Sequence, residues 1–273
     1  MLVGDCVEVM RGLPSKSARL IIADPPYNLA KNFGVWRETA EAHRWLPWCK
    51  EWLQECQRLL ADDGSIFVYG IHHHLCWIQC HMYEMGLKYR RQIIWHYENG
   101  FAGYTRSLAA HYEPLLWFSK GDSYVYHPIR EPYRSVDRLK YKVTKNGKTW
   151  RPNPEGRLAG DVWRFPVLAG KRFAKERVAH PTQKPLSISS RIVEHFSDPG
   201  DLVLVPFAGS GSECVAAQLL GRRYLGIELN PDYVAIAEQR LLSAPGLVSS
   251  EIAAPASGPT SRSRKVRRTR EAE

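Results

Sequence analysis

Arg19-Leu-Ile-Ile-Ala-Asp-Pro-Pro-Tyr-Asn28 is an apolar run that ends on an acid. Leu20 to Ala23 is short and continuous, as in a strand buried on both faces, and Asp24 stops it where such a strand would leave its sheet. Pro25 and Pro26 remove two backbone donors and stiffen the turn, so the Pro25 carbonyl and the Asp24 carboxylate are left as outward acceptors. Tyr27 adds an aromatic face. Acceptors at the edge of a flat ring, with a stacking surface over its face, suit an amino-substituted purine or pyrimidine. Read for structure alone, the same four residues are a turn, since proline and aspartate are common turn formers.

A second stretch makes the same transition. Leu202-Val-Leu-Val-Pro-Phe-Ala-Gly-Ser-Gly-Ser212 is an apolar strand that runs into Gly209-Ser210-Gly211 and then a helical segment. Glycines there let the backbone come close to a ligand, and amides at a helix start favour an anion such as a carboxylate. About 17 residues past Gly211, Tyr224 to Glu228 reads as another apolar strand ending in an acid. A doubly wound nucleotide site usually places its ribose-binding carboxylate there.

Together these residues resemble the DNA amino-methyltransferases that use S-adenosylmethionine. Asp24 to Tyr27 come first and Phe207-x-Gly209-x-Gly211 follows roughly 180 residues later, which is the order of the beta class. Gly4-Asp5-Cys6, Ile93-Ile-Trp-His-Tyr-Glu-Asn-Gly100, Arg130-Glu-Pro-Tyr133 and His180-Pro-Thr-Gln-Lys-Pro185 also match, and the likeness covers about Leu2 to Leu242. It implies an α/β fold with a Rossmann-like, doubly wound, mainly parallel sheet, helices on both faces and a target-recognition insertion over about residues 121–179.

The resemblance also implies roles. Asp24, Pro25, Pro26 and Tyr27 are the catalytic residues of a methyltransferase that acts on a base flipped out of duplex DNA. Asp24 and the Pro25 carbonyl accept hydrogen bonds from the exocyclic amine, Tyr27 stacks on the base, and the methyl arrives without a covalent enzyme intermediate. Cofactor contacts fall on Asp5 and Cys6, on Asp24, on Thr182, Gln183 and Lys184, on Pro206, Phe207, Ala208, Gly209, Ser210 and Gly211, and on Glu228 and Asn230. Asp5 borders the adenine or ribose, and Lys184 lies close to the methionine carboxylate. Aspartate at the first motif position points to adenine N6, since cytosine-N4 enzymes usually carry serine there. Cytosine C5 methylation would need a cysteine nucleophile, often in a Pro-Cys pair, and Cys49 and the other cysteines lack that context.

One position departs from the family pattern. The loop usually begins Asp-Pro-Phe, and here it reads Val205-Pro206-Phe207. Valine cannot accept hydrogen bonds from loop amides, so a DNA-binding protein with impaired catalysis is the alternative from a different class, beside a cytosine-N4 enzyme.

The 273 residues, 44% of them hydrophobic, suffice for one substantial core with an insertion. The net charge of +10 suits a polyanionic partner, here double-stranded DNA. No stretch resembles a signal peptide or a membrane span, so the expected location is the cytoplasm of a bacterium, with the gene chromosomal or phage-borne. Beta-class relatives often pair, so a homodimer is expected, and a cognate restriction endonuclease is the corresponding partner in the same system. The six dispersed cysteines read as reduced thiols. His72-His73-His74, Cys76, Cys80 and His81 lack the spacing of a zinc site and read as a helix, so no metal is expected.

Elsewhere, helical spacing of Trp45, Cys49, Trp52, Leu53, Cys56, Leu59 and Leu60 predicts a core-facing helix over 44–60. Asp62-Asp63-Gly64 is predicted to turn the chain into a strand at Ser65–Tyr69. His72–Met85 reads as a helix closed by Gly86, and 91–97 and 113–118 read as strands. Leu29–Ala42 is a candidate lid beside the base pocket. Basic residues predicted to contact DNA are Lys31, Arg37, Arg106, Arg130, Arg134, Lys140, Lys142, Lys148 and Arg172. Tyr124, Tyr126, Tyr133, Tyr141, Trp150 and Trp163 are interleaved with the insertion's basic residues as stacking or wedging groups, or alternatively as a minor core. Residues 243–273 read as a disordered basic tail.

Overall fold

The computed structural model describes residues 1–34, 38, 41–70, 72–99, 106 and 108–244, without the side chains of residues 42, 72 and 73. Arg37, residues 100–105 and 107, and the tail from residue 245 lie outside the described residues.

The first half carries β1 (Leu2–Val3), α1 (Cys6–Arg11), β2 (Ala18–Ala23), α2 (Ala42–Leu59), β3 (Leu60–Tyr69), α3 (His72–Glu84), β4 (Lys88–His96) and β5 (Tyr112–Ser119). Short strands follow: β6 (Arg130–Glu131), β7 (Val143–Lys145), β8 (Lys148–Trp150), β9 (Arg157–Leu158) and β10 (Val162–Arg164). The last part has α4 (Leu186–Phe196), β11 (Leu202–Val205), α5 (Ser212–Leu219), β12 (Arg223–Glu228) and α6 (Pro231–Ser243).

Eight strands form one sheet in the order β1-β12-β11-β2-β3-β5-β4-β10. Every pairing is parallel except the two made by β5, which runs antiparallel between β3 and β4. From β2 the chain winds outward through α2 and β3, then returns so that β11 pairs with the free side of β2. The crevice beyond the carboxyl ends of β2 and β11 is therefore the topological switch point, where open α/β sheets bind ligands.

Both faces of β2 are buried, which explains its unbroken apolar run. Ile21 and Ala23 join a core with α1, α2 and α3, while Leu20 and Ile22 join a core with α4, α5 and the end of α6. The helical stripe predicted for α2 is inside: Trp45, Cys49, Trp52, Leu53, Cys56 and Leu59 are all buried. Among the described residues no helix is long and apolar enough to cross a membrane.

Two local expectations are corrected. Asp62-Asp63-Gly64 lies within β3, which starts at Leu60; the partner register jumps from Ala18↔Leu60 to Leu20↔Ser65, so the polar triplet is a bulge in a continuing strand. Trp163 is buried rather than presented for stacking, because β10 pairs with β4 and extends the main sheet. Its indole Nε1 donates to the Gly160 carbonyl. Tyr124, half-buried, and Tyr126, partly exposed, pack against Trp117, and Tyr141 and Trp150 are exposed near the β7–β8 turn.

Candidate active site

Because β2 and β11 are parallel neighbours, the Asp24 turn and the glycine loop leave the sheet along the same edge. They line one cavity of about 180 Å³, with Asp24, Pro25, Pro26 and Tyr27 on one side and Pro206 to Ser210 on the other. Asp5 and Cys6 at the start of α1, Glu228 and Asn230 at the end of β12, and Thr182 and Lys184 before α4 complete its wall. Gln183 and Gly211 do not line it. The Gln183 side chain accepts from Val178 N at 2.8 Å and donates to Glu176 O at 2.9 Å, tying down the preceding loop.

Several lining residues also hold the backbone. Asp5 Oδ1 accepts from Val7 N at 2.9 Å and Glu8 N at 3.1 Å, capping α1 while facing the cavity. Burial pushes the Cys6 thiol up to about 12, so it is no nucleophile at neutral pH. Asn230 caps α6 through Asp232 N and donates to the Phe33 carbonyl at 3.0 Å.

Glycine is required in the loop. Gly209 has φ +48° and a Cβ there would stand 2.8 Å from His180 Nε2; at Gly211 (φ +77°) it would stand 2.7 Å from the Ala237 methyl. Two of the loop amides are already engaged within the protein. Gly209 N donates to Glu228 Oε2 at 2.9 Å and Gly211 N to the Ala208 carbonyl at 2.7 Å. At these two positions the glycines serve close approach of the backbone. Val205 is buried in β11, and Glu228 supplies the carboxylate acceptor that valine lacks. Burial raises the Glu228 carboxyl above its ordinary range despite bonds from Gly209 and Asn230 amides.

At the junction of the two halves lies a buried charge cluster. Lys184 Nζ stands 2.9 Å from Asp24 Oδ2 and 3.3 Å from Glu113 Oε2. Burial alone would lower the Lys184 ammonium, but Asp24 and Glu113 outweigh it and hold the group above the ordinary lysine range. Tyr27 Oη lies 2.7 Å from Asp24 Oδ1 and 3.3 Å from Glu113 Oε2. The family resemblance implies Lys184 near a cofactor carboxylate and Tyr27 as a stacking ring. Here both are bonded to Asp24.

Other residues were not found in the sequence. Glu113 comes from β5, the antiparallel strand, and no motif marks it. Phe33, Trp48, His180 and Tyr233 wall the cavity, with Trp48 set edge-on to Phe207 at 5.6 Å. Trp45 Nε1 donates to the Pro26 carbonyl at 2.9 Å, bracing the diproline turn. On the far side of Pro25 and Tyr27 is a narrow cleft walled by Trp45, Tyr69, His74 and Leu75.

Of the basic residues, Lys31 borders the cavity and Arg106, Arg134, Lys140, Lys142, Lys148 and Arg172 are exposed. Arg130 is engaged within the fold, 3.2 Å from Glu155 and bonded to the Gly156 carbonyl. Glu38, buried, accepts from the amides of Asn28, Leu29 and Lys31, so the start of the expected lid is stapled down. Cys76 and Cys80 are exposed, and among the described residues no group of three or more His, Cys, Asp or Glu could hold a metal ion.

The sequence profile of the N6/N4 DNA methylase family matches residues 18–239, and the chain belongs to that family. It is 33% identical over 239 residues to the type II methyltransferase M1.MboII of Moraxella bovis, covering 84% of this chain and 91% of that one. It is 30% identical over 254 residues to the DNA adenine methyltransferase YhdJ of Escherichia coli K12, covering 92% and 85%. The crystal structure of the M1.HpyAVI–SAM complex superposes with a TM-score of 0.60 at 23% identity, covering 88% of this chain and 97% of that one, which is a likeness of fold.

Proposed function

We propose that this methylase transfers the methyl group of S-adenosylmethionine to the N6 amine of an adenine flipped out of double-stranded DNA at a specific sequence. The observation that carries this is the shared cavity: Asp24 and the loop at Gly209 face one space. An acceptor for an amine therefore stands within reach of a small-molecule methyl donor.

The donor set fits that cofactor. Glu228 offers a carboxylate for hydroxyls, Phe33, Phe207 and Trp48 offer apolar walls, and Gly209 offers backbone without a side chain. When bound, the sulfonium supplies an already activated methyl. Asp5, Cys6, Glu228 and Asn230 would hold the nucleoside end, and Thr182 borders the amino-acid end. Asp24 and the Pro25 carbonyl orient the base amine, and the carboxylate disperses the charge that grows on nitrogen.

Adenine is favoured by aspartate at position 24 and by the likeness to the DNA adenine methyltransferase of Escherichia coli. Exposed Lys31, Arg106, Arg134, Lys140, Lys142, Lys148 and Arg172 would contact phosphates, with Arg37 and the basic tail adding to them. Residues 1–242 would act as one catalytic unit carrying the recognition insertion. Work inside a bacterial cytoplasm, pairing into a homodimer and service beside a cognate restriction endonuclease complete the reading.

Sequencing the genome of an expressing host with detection of modified bases tests it. N6-methyladenine within one short motif is expected. N4-methylcytosine alone would overturn the adenine assignment, and an unmodified genome would overturn methyl transfer itself.

A further inference from the structure

The Tyr27 hydroxyl carries one hydrogen and faces two carboxylates. Its oxygen is 2.7 Å from Asp24 Oδ1 and 3.3 Å from Glu113 Oε2, while Lys184 Nζ sits 3.3 Å from the same oxygen and bridges the other edge of the pair. Asp24 thus has a donor on each oxygen, one from Tyr27 and one from Lys184. A carboxylate so held is a good hydrogen-bond acceptor but a poor site to receive a whole proton, because a protonated oxygen accepts the tyrosine hydrogen weakly.

We infer that Glu113 is a positioning residue for methyl transfer: it receives the Tyr27 hydrogen when Asp24 takes up the proton released by the methylated amine. The inference rests on the function proposed above. In the step itself the amine lone pair forms the N–C bond while the C–S bond breaks, and that electron pair stays on sulfur as a neutral thioether. The nitrogen, now cationic, passes one proton to Asp24 Oδ1. The Tyr27 hydrogen turns from Oδ1 to Glu113 Oε2, and Lys184 stays between Oδ2 and Oε2. The proton leaves Asp24 for solvent once product departs.

The surroundings make a second acceptor necessary. Tyr27, Lys184 and Glu113 are joined by Tyr69 from β3, whose hydroxyl is buried without a hydrogen-bond partner, and by Glu213 from α5, whose carboxyl burial raises. Tyr97 at the end of β4 and His180 also face the cluster. Burial, Asp24 and Glu113 all push the Tyr27 phenol up, so it stays protonated and can only reorient its hydrogen.

The test is Glu113→Gln, Tyr27→Phe and the double variant, each assayed for kcat, KM, the pH profile of kcat, and calorimetric affinity for S-adenosylmethionine and for duplex DNA. Glu113→Gln is expected to lower kcat roughly 10- to 100-fold, the worth of a hydrogen bond to a charged group. Both affinities should hold within about threefold. Loss of the negative charge should move the acid limb of the profile to lower pH. The double variant should lose no more than about threefold beyond Tyr27→Phe alone, since Glu113 acts through that hydroxyl. Additive losses, an unchanged kcat and acid limb, or a loss carried by affinity would overturn the inference.

Should Glu113→Gln fail to fold, Glu113→Asp withdraws the acceptor by one methylene and keeps the charge. Its kcat should fall while its acid limb stays in place, and an undiminished kcat would be decisive against Glu113. The wild-type control separates the two readings: no transfer to any base sinks the proposed function, whereas N4-methylcytosine as product changes the base and leaves the Glu113 test standing.

Discussion

Lys184 Nζ stands 2.9 Å from Asp24 Oδ2, with both side chains largely withdrawn from solvent. The contact joins the turn after β2 to the segment before α4, 160 residues apart, and so locks the Asp24 carboxylate to the opposite wall of the cavity. Glu113 and Glu213 face the same ammonium, which makes Lys184 the cation that permits several buried acids to coexist.

Lys184→Met should therefore destabilise the protein as well as silence it. Removing one partner of a buried ion pair leaves the other uncompensated, at about 3–5 kcal/mol. Urea unfolding at pH 7.5 measures this, and a loss under about 1 kcal/mol would show that the acids are relieved in some other way.

Acid sensitivity follows from His180. Burial lowers its imidazole from 6.5 to about 4, so between those values the unfolded chain binds a proton that the folded one refuses. Stability should consequently fall as pH drops from about 6.5 toward 4. Replacing His180 with Gln should flatten urea midpoints across that window relative to wild type, and equal slopes for the two proteins would contradict the assignment.

Gly209→Ala should cost cofactor affinity and stability together. The left-handed backbone penalises a Cβ by about 1–2 kcal/mol, and His180 would have to move from 2.8 Å. Titration calorimetry with S-adenosylmethionine should show at least about tenfold weaker binding, and wild-type affinity would show that the loop yields freely.

Much of this site was legible in the sequence, and the limits have physical reasons. Leu20 to Ala23 and Val203 to Val205 are buried, so each announces itself as an unbroken apolar run, and the acid or glycine that follows marks the sheet edge. Glu113 gave no signal because its position depends on β5 pairing antiparallel with β3 and β4, a long-range choice that local composition does not encode. Trp163 looked like a surface aromatic among arginines because β10 is three residues long, too short to show alternation. Lys184 lies in a stretch the sequence marks, but its partner Asp24 is not legible from motifs whose members lie so far apart in the chain.

Glu38 anchors the amides of Asn28, Leu29 and Lys31, so Glu38→Ala should free residues 28–31. Limited proteolysis is expected to cut there at least about tenfold faster, given roughly 1.5–3 kcal/mol for each hydrogen bond to a charged group. An unchanged digestion pattern would mean the loop is held by other contacts.

The most direct test is mass spectrometry of nucleosides from duplex DNA incubated with the purified protein and S-adenosylmethionine, run beside Asp24→Ala. Wild type should produce N6-methyldeoxyadenosine, and the variant, scored per folded molecule, should produce at least about 100-fold less. N4-methyldeoxycytidine as the sole product, no methylated nucleoside, or undiminished activity of the variant would contradict the account.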